Sequence, residues 1–349
     1  MKRRDLLAAL AASTLLPSWE AVAQELPVLT RPIPSTGEAL PLVGLGSWIT
    51  LADPSSPPAE RVVRAALDAG IWLLDTADVY DTGAAEELLG RALAGVPREQ
   101  VVIATKAFWP MSDHPNDRGL SRKHLFESVH NSLRRLRIEH LDLFQCHRYD
   151  PEVPLAETVR AIGDLIRAGK VLYWGTSQWS ARNLKDACAL CDALGVPRPI
   201  SEQARYNLLC REVERKVVPA AQKLGIGFLW WSPLAQGVLT GKYAEGAPPP
   251  AGTRAASARR VGNFLEQALA EPEVHARVAR FVAVAREAGH SPAALALAWC
   301  LDRVPGSTAL IGVTRLEQLP ENLAALAVEW TPELRARVKE AFAGPRLDL

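Results

Sequence analysis

Four residues of chemically demanding type close short apolar runs or follow them. Asp75 ends the apolar part of IWLLDTA, Tyr80 comes five residues later, Lys106 closes VVIATK and His147 closes LDLFQCH. A lysine ammonium at the end of an apolar strand is costly to bury without an anion against it, and Asp75 on the neighbouring run is the natural partner. Singly, each residue has a plain structural role: an aspartate can cap the next helix, and a tyrosine can pack a loop. Together they suit the reduction of a carbonyl group. A lysine cation favours the phenolate form of a nearby tyrosine, so it is expected to lower the Tyr80 pKa and make the hydroxyl a more capable proton donor. Asp75 would hold the lysine and moderate its charge. A neutral His147, donating from one ring nitrogen, would orient the substrate oxygen beside Tyr80.

The elements that must bring these residues together alternate along the chain. After RPIPSTGEALPL, which reads as a hairpin around a Ser-Thr-Gly-Glu turn, short apolar runs alternate with amphipathic segments. The runs are LVGLGSW, IWLLDTA, VVIATK, LDLFQCH, VLYWGTS, ISEQ, IGFLWWSP and TALIG, with helices expected near 59–69, 84–94, 121–136, 155–168, 180–193, 212–223, 264–288 and 291–303. Eight parallel strands separated by helices predict an α/β fold, a closed TIM (β/α)8 barrel with an N-terminal β-hairpin and additional C-terminal helices. An open doubly wound sheet competes, but no G-x-G-x-x-G opens a helix after the first strand. In a barrel the strand ends carrying Asp75, Lys106, His147, Ser177, Gln203 and Ser232 form one bowl. Trp48, Tyr80, Phe108 and Trp109 lie beside the same ends and, with His147, are expected to line the substrate pocket. Their aromatic faces favour an apolar or aryl aldehyde. No obvious residue clamps a charged substituent, although Arg122 or Lys123 could approach through loop movement.

Acidic and basic residues number 39 and 40, giving a formal charge of +1. That balance offers no broad attraction for nucleic acid. Cys146, Cys188, Cys191, Cys210 and Cys300 are too few and scattered for a disulfide framework. The Cys188–Cys191 pair falls inside an expected helix rather than at its start, where a thiolate would be stabilised. Packing is its expected role. No metal-ligand pattern stands out. At the start of the chain Lys2, Arg3 and Arg4 precede LLAALAASTLL, and Ala21-Val22-Ala23 suits a signal peptidase, so residues 1–23 are expected to be a removed signal resembling the twin-arginine type. The apolar run is short for the roughly 30 Å hydrocarbon layer. The mature barrel over 24–349 is accordingly expected to have no membrane span, to use the twin-arginine machinery and to be periplasmic or exported. The oligomeric state stays open.

LLDTADVY, VVIATK, LDLFQCH, YWGTSQWS, SEQARYNLL, WSPLAQGVLTGKY and ALIGVTRLEQLPENL together resemble the aldo-keto reductases, near the branch that includes potassium-channel β subunits and bacterial aldehyde reductases. The likeness runs from about Pro32 to Pro332, in family order and spacing. It implies NADPH as cofactor, a small carbonyl compound as substrate, and Asp75, Tyr80, Lys106 and His147 as the catalytic four with Tyr80 the proton donor. Some channel-associated relatives carry asparagine where His147 stands. The resemblance further implies that Ser177, Gln178 and Gln203 hold the carboxamide and that Trp231 stacks on the nicotinamide ring. Gln178 departs from the family's usual asparagine or arginine. Ser232, Leu234, Gln236 and Gly237 are implied under the pyrophosphate, with Lys242 supplying charge.

The last strand ends at Gly312, and Thr314 and Arg315 open the next helix, whose free N–H groups suit a phosphate. The family places the adenosine 2′-phosphate there and the adenine against Gln318, Glu321 and Asn322. Arg254, Arg259 and Arg260 lie in a loop resembling the belt that closes over the cofactor. Two rivals remain: a Schiff-base barrel with Lys106 as amine nucleophile, which borohydride would trap, and a regulatory subunit that uses bound NADPH as a redox sensor with slow turnover. An exported reductase would need either to carry its cofactor across the membrane while folded or to bind another donor there.

Overall fold

The computed structural model describes residues 29–50, 59–257, 263–304, 306–345, 347 and 349. The signal expected at 1–23, and Arg259 and Arg260 of the long loop, lie outside the described residues. Strands β1 (Thr30–Pro32) and β2 (Ala39–Pro41) pair antiparallel as the expected hairpin. The remaining strands are β3 (Val43–Gly46), β4 (Leu73–Asp75), β5 (Val102–Ala107), β6 (Leu141–Cys146), β7 (Val171–Ser177), β8 (Ser201–Arg205), β9 (Gly227–Trp231) and β10 (Ser307–Ile311). They close a barrel in the order β10-β3-β4-β5-β6-β7-β8-β9, with every neighbouring pair parallel.

Side chains two apart on a strand share a face, and this alternation builds the site. Leu73, Ala104, Leu143, Leu229 and Leu310 meet inside the barrel, where Ile33 and Leu40 of the hairpin join them. Two residues further along their strands come Asp75, Lys106, Gln145, Trp231 and Gly312. The interior is thus apolar towards the hairpin and polar towards the carboxyl ends of the strands. Leu74, Ile103, Phe144, Trp174, Phe228 and Trp230 belong to the other cluster, shared with the helices.

The helices begin and end where local chemistry dictates. Ser121 accepts from the His124 N–H at the start of the helix Arg122–Leu136, which buries Leu125, Val129, Leu133 and Leu136 along one face. Ser180 and Asn183 form a reciprocal cap on Ala181–Leu194. The segment expected as helical near 264–288 is broken into Phe264–Ala270 and Pro272–Glu287, because Pro272 forces the preceding Glu271 out of helical geometry. Among the described residues no helix is long and apolar enough to cross a membrane.

Candidate active site

Lys106 is fully buried at the polar end of the barrel, and its three N–H bonds have three acceptors. Nζ lies 2.7 Å from Asp75 Oδ2, 2.7 Å from the Thr76 carbonyl oxygen and 3.3 Å from the Tyr80 hydroxyl. Burial alone would lower the Lys106 pKa, but the charge of Asp75 and the proximity of Tyr80 outweigh it and raise the ammonium above its ordinary value. The lysine stays charged. Tyr80 departs from the expectation: burial raises its pKa, and the pull of Lys106 offsets only part of that rise. The hydroxyl is therefore a firmly protonated donor rather than an acidified one in the resting site.

Tyr80 opens a turn, Tyr80–Gly83, in which Asp81 (φ 49), Thr82 (φ 52) and Gly83 (φ 91) all take left-handed backbone. A Cβ at Gly83 would stand 2.7 Å from Arg135 Cδ, so the turn needs glycine there. Arg135 Nε donates to Glu86 Oε2 at 2.7 Å, and Glu86 Oε1 accepts from the Thr105 hydroxyl at 2.6 Å. This chain ties the turn that carries Tyr80 to the residue preceding Lys106. His147, 7% exposed, meets the Tyr80 ring edge to face at 5.9 Å between centroids. Burial, then Lys106 and Arg148, holds the His147 pKa well below its ordinary value. The imidazole is neutral, and its Nδ1 has no protein partner among the described residues.

Asp75 is fixed from its other side as well. Its Oδ1 accepts from Gln203 Nε2 at 2.8 Å and from Gln145 Nε2 at 3.3 Å. Gln203, assigned by resemblance to the cofactor carboxamide, thus bonds to Asp75 in this structure. Gln145 escaped the sequence reading, yet the signal was present: in LDLFQCH it shares the inward face with Leu143 and His147.

Glu202 also escaped notice. It is fully buried, accepting from the Thr176 hydroxyl and from the Trp179 N–H. Its carboxyl is pushed up to about 8, with burial the main cause and those hydrogen bonds opposing it. The folded chain binds this proton more tightly than the unfolded chain. The resulting stability is fully present below the ordinary carboxylate range and is lost as pH rises through about 8. We expect the urea midpoint of the wild type to fall relative to Glu202→Gln between about pH 6 and about pH 9; a gap independent of pH would contradict this.

The expected cofactor residues occupy the rim after β7, β9 and β10. Ser177 is buried at the end of β7. Gln178 follows with φ 59, and in the amide orientation that satisfies its neighbours its oxygen accepts from Trp231 Nε1 at 2.7 Å and from the Arg205 N–H at 3.0 Å. After β9 the chain turns through left-handed Ser232 (φ 54), Ala235 (φ 50), Gln236 (φ 56) and Gly237 (φ 94), with Leu234 partly exposed among them. The Gln236 N–H donates to Ser232 Oγ at 3.2 Å. A Cβ at Gly237 would stand 2.6 Å from Lys242 Nζ, so the lysine lies across the bare glycine. Burial first, then the charges of Arg254 and Arg315, lowers the Lys242 pKa, with Glu321 opposing.

Beyond the exposed Gly312, Gln318 Oε1 accepts from the N–H groups of Thr314 at 2.9 Å and Arg315 at 3.2 Å. The N–H groups expected to face a phosphate are held by Gln318 instead. Asn322 is buried and Glu321 exposed beside them. Arg254 and Arg315 both lie close enough to repel Lys242, and such a cluster fits an anionic dinucleotide.

The aromatic wall stands on the other rim. Phe108 meets Trp109 edge to face at 5.1 Å, and Trp109 meets His147 at 6.3 Å. Trp48 instead lies under Arg254, 5.1 Å from its guanidinium, on the side of the cationic residues. Arg122 and Lys123 pair instead with Asp164 and Glu127. Arg148 was not anticipated: its guanidinium lies 5.5 Å from the centre of the Trp109 ring. All five cysteines are free and buried. Burial pushes Cys191 up to about 12 and raises Cys188 as well, which disfavours the thiolates that redox exchange needs. Among the described residues no three His, Cys, Asp or Glu side chains are grouped to hold a metal.

The chain is 40% identical over 300 residues to a rice (Oryza sativa subsp. japonica) protein named "Probable voltage-gated potassium channel subunit beta", covering 84% of this chain and 90% of the relative. An Arabidopsis thaliana protein of the same name is 38% identical over 297 residues, covering 84% and 89%. A Schizosaccharomyces pombe protein named as the same kind of subunit is 36% identical over 307 residues, covering 85% and 88%. These relatives overturn the expectation of a periplasmic or exported protein, because they are eukaryotic proteins named as channel subunits rather than as exported enzymes. The sequence profile of the Aldo/keto reductase family matches residues 42–343, the span that forms the barrel, its helices and the four-residue cluster, and the chain therefore belongs to the aldo/keto reductase family.

Proposed function

We propose that the protein is an NADPH-dependent reductase of aldehydes or ketones in which Tyr80 delivers the proton to the carbonyl oxygen. The observation that carries this reading is the buried Lys106 ammonium in contact with both Asp75 and the Tyr80 hydroxyl. The chemistry that NADPH supplies when bound is hydride donation to the carbonyl carbon. Ser177, Gln178, Trp231, Ser232, Leu234, Gln236, Gly237 and Lys242 would hold its nicotinamide and pyrophosphate end. Gly312, Thr314, Arg315, Gln318, Glu321 and Asn322 would hold the adenosine end, and Gln203 would have to share its amide with Asp75.

The protein's own residues then have separable tasks. Burial keeps the Tyr80 phenol protonated until negative charge grows on the substrate oxygen. Lys106 stabilises the phenolate that forms as the proton leaves. Asp75, fixed by Gln145 and Gln203, keeps the lysine charged and in place. Neutral His147 can donate a hydrogen bond to the same oxygen, while Trp48, Phe108 and Trp109 flank a small carbonyl compound.

The relatives' name favours a second reading, a regulatory subunit that retains NADPH and turns over slowly. Both are tested by purifying the protein, recording the absorbance and fluorescence of retained NADPH and adding aryl aldehydes, short sugars and methylglyoxal. Rapid oxidation of the bound cofactor is the result expected of the reductase. Retention of reduced cofactor in the presence of every acceptor would replace that reading with the regulatory one.

A further inference from the structure

We propose that Arg148 makes this site selective for carbonyl substrates that carry an anionic oxygen group, held by its guanidinium at the mouth beside His147. The inference rests on the reductase reading above and names the substrate class for it. A guanidinium has five N–H donors in a planar fork. In Arg148, Nη1 donates to the His147 carbonyl oxygen at 2.5 Å, and the Trp109 ring lies 5.5 Å away. Among the described residues no carboxylate pairs with it. Arg135 and Arg277, which are also largely enclosed, pair with Glu86 and Glu273. The carboxyl that acts on Arg148 is Glu202, and its oxygens are already engaged by Thr176 and Trp179.

The cation is also placed where a substrate is processed. Its charge acts on both Tyr80 and His147, and Trp109, which it covers, is 38% exposed. It does not belong to the cluster fitted to the dinucleotide. Arg148 follows β6, which lies across the barrel from β10, the strand that leads to Arg315. A partly buried guanidinium with unused donors and no counter-charge is completed by a carboxylate or phosphate, which it can bind through two parallel hydrogen bonds. The expectation that no residue clamps a charged substituent is replaced accordingly.

The test compares 4-formylbenzoate with its neutral methyl ester, and 4-formylphenyl phosphate with the same ester, in the wild type, Arg148→Met and Arg148→Lys. Comparing each variant's ratio of kcat/KM with that of the wild type cancels the intrinsic reactivities of the aldehydes. Arg148→Met is expected to lower the anion-to-ester ratio by roughly 10- to 100-fold, the range of a charged hydrogen bond, with part of the loss recovered in Arg148→Lys. The larger drop identifies carboxylate or phosphate as the preferred group. Equal loss on anion and ester would assign Arg148 to packing and overturn the inference, as would loss of NADPH binding by fluorescence in Arg148→Met. If the wild type fails to reduce even the ester, the reductase reading fails separately. Tryptophan emission titrated with 4-formylbenzoate then decides this inference without turnover, through binding roughly 10-fold weaker in Arg148→Met or binding that is unchanged.

Discussion

Tyr80→Phe is expected to lower kcat for aldehyde reduction by roughly 10²-fold or more, the usual contribution of a positioned acid, while NADPH affinity should stay near that of the wild type. The substitution removes one oxygen and leaves the ring that meets His147 edge to face. It also leaves the other two acceptors of the Lys106 ammonium, Asp75 and the Thr76 carbonyl oxygen. The loss should thus appear in the transition state, where the phenol proton moves, and only weakly in substrate binding. Steady-state kcat and KM with a fluorescence titration of NADPH separate these effects. Near-unchanged reduction by the phenylalanine variant would remove Tyr80 from the mechanism.

Lys106→Met has a second kind of consequence, because it strips the cation from a buried carboxylate. Asp75 is 4% exposed and Lys106 0%, so the remaining charge keeps only the amide donors of Gln145 and Gln203 on Oδ1. Removing one partner of a buried pair costs about 3–5 kcal/mol, and that is the expected fall in unfolding free energy in urea. Replacing both members, Lys106→Met with Asp75→Asn, removes the stranded charge and should restore much of the stability. Activity should stay lost in both variants, since neither retains the cation proposed to stabilise the Tyr80 phenolate. If the double variant is as unstable as the single one, the ion pair is not what holds this end of the barrel.

The barrel and its polar rim were largely legible along the chain because both follow from local patterning. Alternation of short apolar runs with amphipathic segments gives the strand and helix order. The change from leucine or alanine to Asp75, Lys106 and Gln145 two residues later marks the carboxyl end of each strand. Asp75 and Lys106 could be paired because an ammonium in an apolar run demands a nearby anion. Gln145 was overlooked because glutamine is unremarkable until its strand parity is counted. The break at Glu271 was local too, since Pro272 decides it.

Other features depend on groups brought together from distant segments. That burial outweighs Lys106 in setting the Tyr80 proton affinity depends on how deeply the phenol is enclosed, and no spacing encodes that depth. The engagement of Gln203 with Asp75 spans 128 positions. The uncompensated charge of Arg148 becomes visible only when the surrounding carboxyls have been located and found occupied. Sequence alone determined the order of the elements and which residues end the strands, because steric period and the cost of burying polar groups act between near neighbours. Tertiary structure alone decided proton affinities, hydrogen-bond partners and the unbalanced cation, because solvation and Coulomb interactions depend on distances that exist only after the ring of strands has closed.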